Sequence, residues 1–171
     1  MHFLAIWGGL RRNYALRAPE QESGGPDPHR QQRPESAKRI AVALIDDRAL
    51  FGESLATAMN DRATDLVVKH WKSVDALASV PSALQGVDLV LICIGRTSLF
   101  RGSMSRLIKV LLKQDRHLPI AILADTADPA MVATGRAMGL RGILSSKASL
   151  DAVATALRQI YAGGTVVPNE H

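Results

Sequence analysis

Three short stretches carry residues that could do chemistry. "IDDR" sets Asp46 and Asp47 side by side after an apolar run. "GVDLVLICIGR", residues 86–96, delivers a single thiol, Cys93, near the end of another apolar run. "GILSSK", residues 142–147, ends on Ser146 and Lys147. Adjacent carboxylates repel unless a cation, a basic side chain or a proton relieves them. A hard divalent ion such as magnesium takes oxygen ligands of this kind. The plainer role for Asp47 is to cap a following helix, which accounts for one aspartate but not for both. A thiol reacts as its thiolate, which needs positive charge or a helix N-terminus beside it. Two neighbouring carboxylates disfavour a further anion and raise the thiol pKa. Redox sensing at Cys93 therefore requires Arg48, Arg96 or Lys147 to neutralise the site. A softer metal such as zinc could draw on Cys93, Asp46 and Asp47, but no histidine joins them in the pattern. The remaining reading is that Cys93 is a small buried residue that fills space.

These residues need elements to position them, and the hydrophobic pattern supplies an alternation. "RIAVALI" (39–45) is a continuous apolar run suited to a strand covered on both faces. Leu50, Phe51, Leu55, Ala58 and Met59 then repeat at helical spacing. "DLVVKHW" (65–71) reads as a second strand, and Val74, Leu77 and Ala78 as a short helix ending before Pro81. The third strand is "VDLVLICI" (87–94), followed by the helical stripe Met104, Leu107, Ile108, Leu111 and Leu112. Pro119 precedes the fourth strand, "IAILA" (120–124), and Pro129 opens a helix running to Met138. "GILS" (142–145) is a fifth strand. Leu150, Val153, Leu157, Ile160 and Tyr161 define a last helix, stopped by Gly163 and Gly164. Five strands alternating with five helices predict an α/β fold, a parallel sheet with helices on both faces. The expected strand order is 2-1-3-4-5, the flavodoxin-like (βα)5 arrangement. Its functional crevice lies beyond the carboxyl ends of the strands, which means just after residues 45, 94, 124 and 145. His70 and His117 fall at element edges without visible partners.

The chain has 171 residues, enough for one domain plus a tail, with 47% hydrophobic and only 4% aromatic residues. Aliphatic side chains must build the core. Residues 18–38 are rich in Pro, Gly, Gln, Glu and Arg and could bury almost nothing. Residues 1–38 are therefore read as a disordered extension, 39–168 as the folded domain and 169–171 as a tail. The net charge is +5, but residues 1–38 hold six basic against four acidic residues and the rest fifteen against twelve. That spread lacks the clustered charge of a nucleic-acid surface. One cysteine suits a reducing compartment. The apolar start of the chain is shorter than a signal-peptide core, and no stretch reaches the roughly 20 residues of a membrane span. A cytoplasmic protein without membrane attachment is expected.

With these motifs in order, "RIAVALIDDRALFGESLATAM", "VDLVLICI", "LPIAILAD" and "GLRGILSSKASLDAVATALRQIYAGGTVVP" resemble a response-regulator receiver domain. The resemblance is to the branch joined to LuxR-type (NarL/FixJ-type) DNA-binding modules, and it covers residues 39–168. It implies phosphoryl transfer from a histidine kinase onto an aspartate at the end of strand three. The acidic pair and that aspartate would hold magnesium. A lysine after strand five, a hydroxyl after strand four and an aromatic on strand five would answer the phosphoryl group. This sequence keeps Asp46 and Asp47 and departs elsewhere. The acceptor position aligns with Cys93, the hydroxyl with Ala124, the aromatic with Ile143 and the lysine with Ser146, with Lys147 one residue later.

A thiol cannot form an acyl phosphate, and Ala124 cannot bond a phosphoryl oxygen. Phosphorylation is therefore not expected, no cofactor is needed, and magnesium should bind weakly if at all. The sequence reads as a degenerate receiver in two-component signalling, a non-enzymatic, phosphorylation-independent interaction module. Its partner would be a protein, either a second copy or another regulator, met through the helix 4, strand 5, helix 5 face. Two alternatives stand beside it. One is a thiol- or metal-responsive sensor using Cys93. The other is the receiver fragment of a LuxR-type transcription regulator, although no helix-turn-helix follows Pro168 and direct DNA binding is not expected.

Overall fold

The computed structural model describes residues 38–80, 82–95, 103–115 and 117–168. The expectations for the N-terminal extension and for 169–171 lie outside these residues. Lys38 is the exception: its ammonium meets Asp88 at 3.0 Å.

The elements alternate as the pattern requires. They are β1 (Ile40–Ile45), α1 (Ala49–Arg62), β2 (Leu66–Trp71), α2 (Val74–Ala78), β3 (Leu89–Gly95), α3 (Ser103–Gln114), β4 (Ile120–Ala124), α4 (Pro129–Ala137), β5 (Gly142–Ser145) and α5 (Leu150–Tyr161). All pairings are parallel, in the order β2-β1-β3-β4-β5. This is the flavodoxin-like receiver fold.

Strand β3 starts two residues later than the apolar run suggests. The cause is Asp88, whose carboxylate accepts from the Ala41 N–H at 3.0 Å and from Lys38. A side chain there takes over one link of the ladder between the strand starts.

Two cores flank the sheet, because successive strand residues point to opposite faces. On one face Val42, Leu44, Leu91 and Leu123 pack with Met59 of α1 and Leu157 and Ile160 of α5. On the other, Ile45, Ile92, Ile122 and Ile143 pack with Leu77 of α2, Ile108 and Leu111 of α3 and Met131 of α4. Strands β3 and β4 are buried almost throughout, as central strands covered on both sides must be. Burying each such Leu or Ile contributes about 1.5–3 kcal/mol.

The helices begin on side-chain caps wherever a suitable residue stands at the boundary. Ser73, Asp128 and Ser149 accept from Ala76, Met131 and Ala152 N–H. Helix α5 ends at Gly163, whose φ of 91° is the left-handed conformation glycine adopts without cost. The Gly164 N–H then bonds back to the Gln159 carbonyl at 2.9 Å. Beyond α5 the chain returns along the outer edge of β5. Ile143 N–H donates to the Val166 carbonyl, and Val166 N–H to the Arg141 carbonyl. That bridge covers part of an edge that would otherwise be open to another strand.

Candidate functional site

Sheet topology brings the carboxyl ends of β1, β3, β4 and β5 to one rim. Asp46 follows β1 and is the one buried charged residue among those described, 1% exposed. Asp47, the next residue, is exposed and makes no hydrogen bond or ion pair among the described residues. It does not cap α1. The residue before the helix is Arg48, and no side chain caps that end. Asp46 does the local work instead, accepting from the Arg48 backbone N–H at 2.9 Å. Such a bond two residues on shapes the turn from β1 into α1.

Arg48 also folds its side chain back onto the same carboxylate. Its Nε reaches Asp46 Oδ1 at 3.0 Å and its Nη2 reaches Oδ2 at 2.9 Å. This is the two-pronged geometry that makes arginine–carboxylate pairs strong. The hydrogen bonds to Asp46 hold the guanidinium pKa above its ordinary value. The guanidinium lies 4.3 Å from the centre of the Phe51 ring, a cation–π distance.

Cys93 points to the same face of the sheet as Asp46 and packs in the core beneath α1 and α5. It is 8% exposed and free. Burial pushes its thiol pKa well above the usual cysteine range. The Asp46 charge and a hydrogen bond to Asp46 push the same way, and the pull of Arg48 does not offset them. Those surroundings favour the neutral thiol over the thiolate. The pairing of β3 with β4 slips by one residue just past Cys93, between Cys93 and Gly95. Bulges of this kind re-aim a strand end beside a site. Gly95 has a φ of 47°, which accommodates the turn out of the strand.

The β4 end supplies a residue that the alignment on Ala124 passes over. Ala124 is fully buried in the opposite core. The next residue, Asp125, turns into the crevice. Its Oδ1 accepts from Ser146 Oγ at 2.8 Å, and its charge acts on both Arg48 and Cys93. The signal was present in the sequence as an acid directly after a strand, the same logic that singles out Asp46.

Ser146, which the resemblance aligns with the lysine, is a hydrogen-bond partner of Asp125. Lys147 forms no ion pair among the described residues. Its backbone N–H bonds to Ser145 Oγ, and the residue lines a groove between the 125–128 loop, α5 and the 166–168 segment. Ile143 is buried against Gly135 of α4, where an added Cβ would stand only 2.6 Å from the Ile143 Cδ1. Arg96 lies outside the described residues.

His70 corrects the expectation that it has no partner. Its Nε2–H donates to the Asp46 carbonyl at 2.8 Å, which braces the β1 end from below. The ring sits against Gly52 of α1, where any Cβ would fall 2.3 Å from Nε2. His117 stays exposed.

These residues do not fit a magnesium ion. A hard divalent ion needs several available oxygen ligands. Asp46 is largely occupied by its three hydrogen bonds from Arg48, and Cys93 offers a soft sulfur in place of a third carboxylate. Among the described residues no group of three or more His, Cys, Asp or Glu is arranged to hold a metal. No described helix is long and apolar enough to cross a membrane.

No family model and no curated protein matches the chain. Solved structures do. A LuxR family DNA-binding response regulator from Silicibacter pomeroyi is 15% identical at a TM-score of 0.63, over 77% of this chain and 98% of that one. The non-phosphorylated HemR receiver domain from Leptospira biflexa is 18% identical at 0.58, over 78% and 99%. The isolated receiver domain of RcsB from Salmonella enterica serovar Typhimurium, with phosphomimetic BeF3-, is 16% identical at 0.61, over 77% and 94%. At such identities the likeness is one of fold, and the fold is that of response-regulator receivers.

Proposed function

We propose that this chain is a regulatory module of the two-component type that acts by binding another protein, without taking up a phosphoryl group. One observation carries the reading: at the rim where phosphate would be accepted, Arg48 forks onto the buried Asp46 carboxylate, and the β3 end offers Cys93 in place of a carboxylate. Acceptor chemistry needs a carboxylate oxygen able to attack phosphorus and a cation to balance the charge of the transferring group. Asp46 is tied up in three hydrogen bonds from Arg48, and Cys93 cannot form an acyl phosphate. The fold supports the signalling context, since receiver domains are its solved neighbours.

The binding surface in this reading is the α4–β5–α5 face. Beside it, a groove between the 125–128 loop, β5, α5 and the 166–168 segment is lined by Asp125, Ile143, Lys147, Ala152, Ala156 and Val167, a mix of apolar and charged groups suited to a protein partner. A second copy or another regulator fits this description. The thiol-sensor alternative loses support, because the surroundings of Cys93 raise its pKa and so oppose a thiolate.

The test is incubation of the full chain with a small-molecule phosphodonor, followed by intact mass. The expected spectrum is unchanged. An acid-labile phosphoryl adduct that disappears in Asp46→Ala, Asp47→Ala or Asp125→Ala would overturn the proposal.

A further inference from the structure

We propose that Arg48 is the resident cation of this crevice: a tethered guanidinium in the place of a divalent ion, which makes the rim independent of metal. The inference stands on geometry and does not require the interaction-module reading.

Two contacts and one close approach define the position. The guanidinium forks onto both oxygens of Asp46 at 3.0 and 2.9 Å. It stacks on Phe51, three residues along on the first turn of α1. It also approaches the β3 and β4 ends. A Cβ built on Gly95 would lie 3.7 Å from Arg48 Nη1 and 3.8 Å from Asp125 Oδ2, so both groups converge on the Gly95 backbone. One cation therefore touches Asp46 at the β1 end directly and faces the β3 and β4 ends.

The chemistry of the pair favours arginine for the task. Asp46 is buried and cannot rely on water for charge balance. A planar fork satisfies a carboxylate with two parallel bonds, which a lysine point charge cannot do. The ion also cannot dissociate, since it belongs to the residue that starts α1. Its Asp46 partner fixes the Arg48 backbone as well, through the 2.9 Å bond to the N–H. The same carboxylate therefore closes the turn and anchors the cation. No exchange with solution ions is needed to hold the β1–α1 junction in one arrangement.

The experiment is thermal melting of the full chain in millimolar magnesium or manganese chloride against sodium chloride of equal ionic strength. It compares wild type, Arg48→Gln, Arg48→Lys and the double variant Arg48→Gln with Asp46→Asn. Wild type is expected to melt identically in all three salts. Arg48→Gln should melt clearly lower, because a buried carboxylate has lost its counter-ion. Arg48→Lys keeps the charge without the fork and should fall between the two. The double variant removes both charges while its Asn still accepts the turn bond, and should recover part of the loss. Should Arg48→Gln fail to fold, a folded double variant supports the proposal as strongly. A divalent-specific rise in the wild-type melting temperature would overturn it. So would an Arg48→Gln melt equal to wild type, or a double variant no more stable than Arg48→Gln.

Discussion

At the scale of single residues, the crevice is governed by what surrounds one carboxylate. Asp46 accepts from the Arg48 N–H, Nε and Nη2, so three of its roughly four lone-pair positions are occupied. The thiol of Cys93 faces what remains. A protonated S–H can donate there, whereas a thiolate would meet a like charge in a buried place. The raised pKa follows from that arrangement, with burial as its first cause. The expected outcome is slow alkylation of the native protein, without a titration step near the ordinary thiol value of about 8.5. The unfolded chain in denaturant should react as an ordinary cysteine. A native reaction rate that rises through an inflection below that value would contradict the assignment.

At the scale of elements, α1 and β2 are held together at a point where a glycine is required for room. Gly52 is buried on α1, and the His70 ring occupies the space its side chain would need. Gly52 costs helix propensity. What it permits is the 2.8 Å bond from His70 to the Asp46 carbonyl. Asn60, two turns further along α1, adds a paired contact with the backbone of Val68 on β2, at 2.8 and 2.9 Å. Substituting Gly52→Ala should drive the imidazole off Asp46 and destabilise the fold by about 1–3 kcal/mol, the usual cost of overpacking. Denaturant melts of this variant check the prediction. The double variant Gly52→Ala with His70→Ala should recover part of the loss, because the clash is then gone.

At the scale of the whole molecule, the chain closes on itself through contacts distant in sequence. Arg158 of α5 forks onto Asp65, just before β2, at 2.7 and 2.8 Å, and so joins residues 93 apart. The hydrogen bonds from Arg158 lower the Asp65 pKa. A carboxylate whose pKa is lower folded than unfolded adds stability above the unfolded value, near 3.9, and loses it as pH falls through the folded value. Both side chains are 42% exposed, so solvent limits the pair to about 0.2–1 kcal/mol. Asp65→Asn should therefore melt slightly below wild type at neutral pH. The gap should close on acidification below about pH 4. A gap that widens on acidification would refute this account.

The alternation of apolar runs and helical stripes determined the architecture by itself. A strand buried on both faces must be apolar at every position, and a helix covering it must be apolar on one side. That logic reaches from Ile40 to Tyr161 and yields a parallel sheet, because parallel strands need helical crossovers. The sequence also marked Asp46, Asp47, Cys93 and Ser146 as rim residues, since each follows or ends a strand. Which of them meet was decided only by the tertiary structure. Asp46 and Asp47 are neighbours in sequence, yet one is buried and the other faces water, because adjacent residues at a strand end point to opposite sides. Asp125 and the Gly95 backbone meet at the Arg48 guanidinium from the ends of β4 and β3, while His70 reaches the Asp46 carbonyl from β2, and no local spacing encodes those contacts. The direction of the Arg48 side chain was likewise set by the fold: only a folded rim offers it a buried carboxylate to grasp.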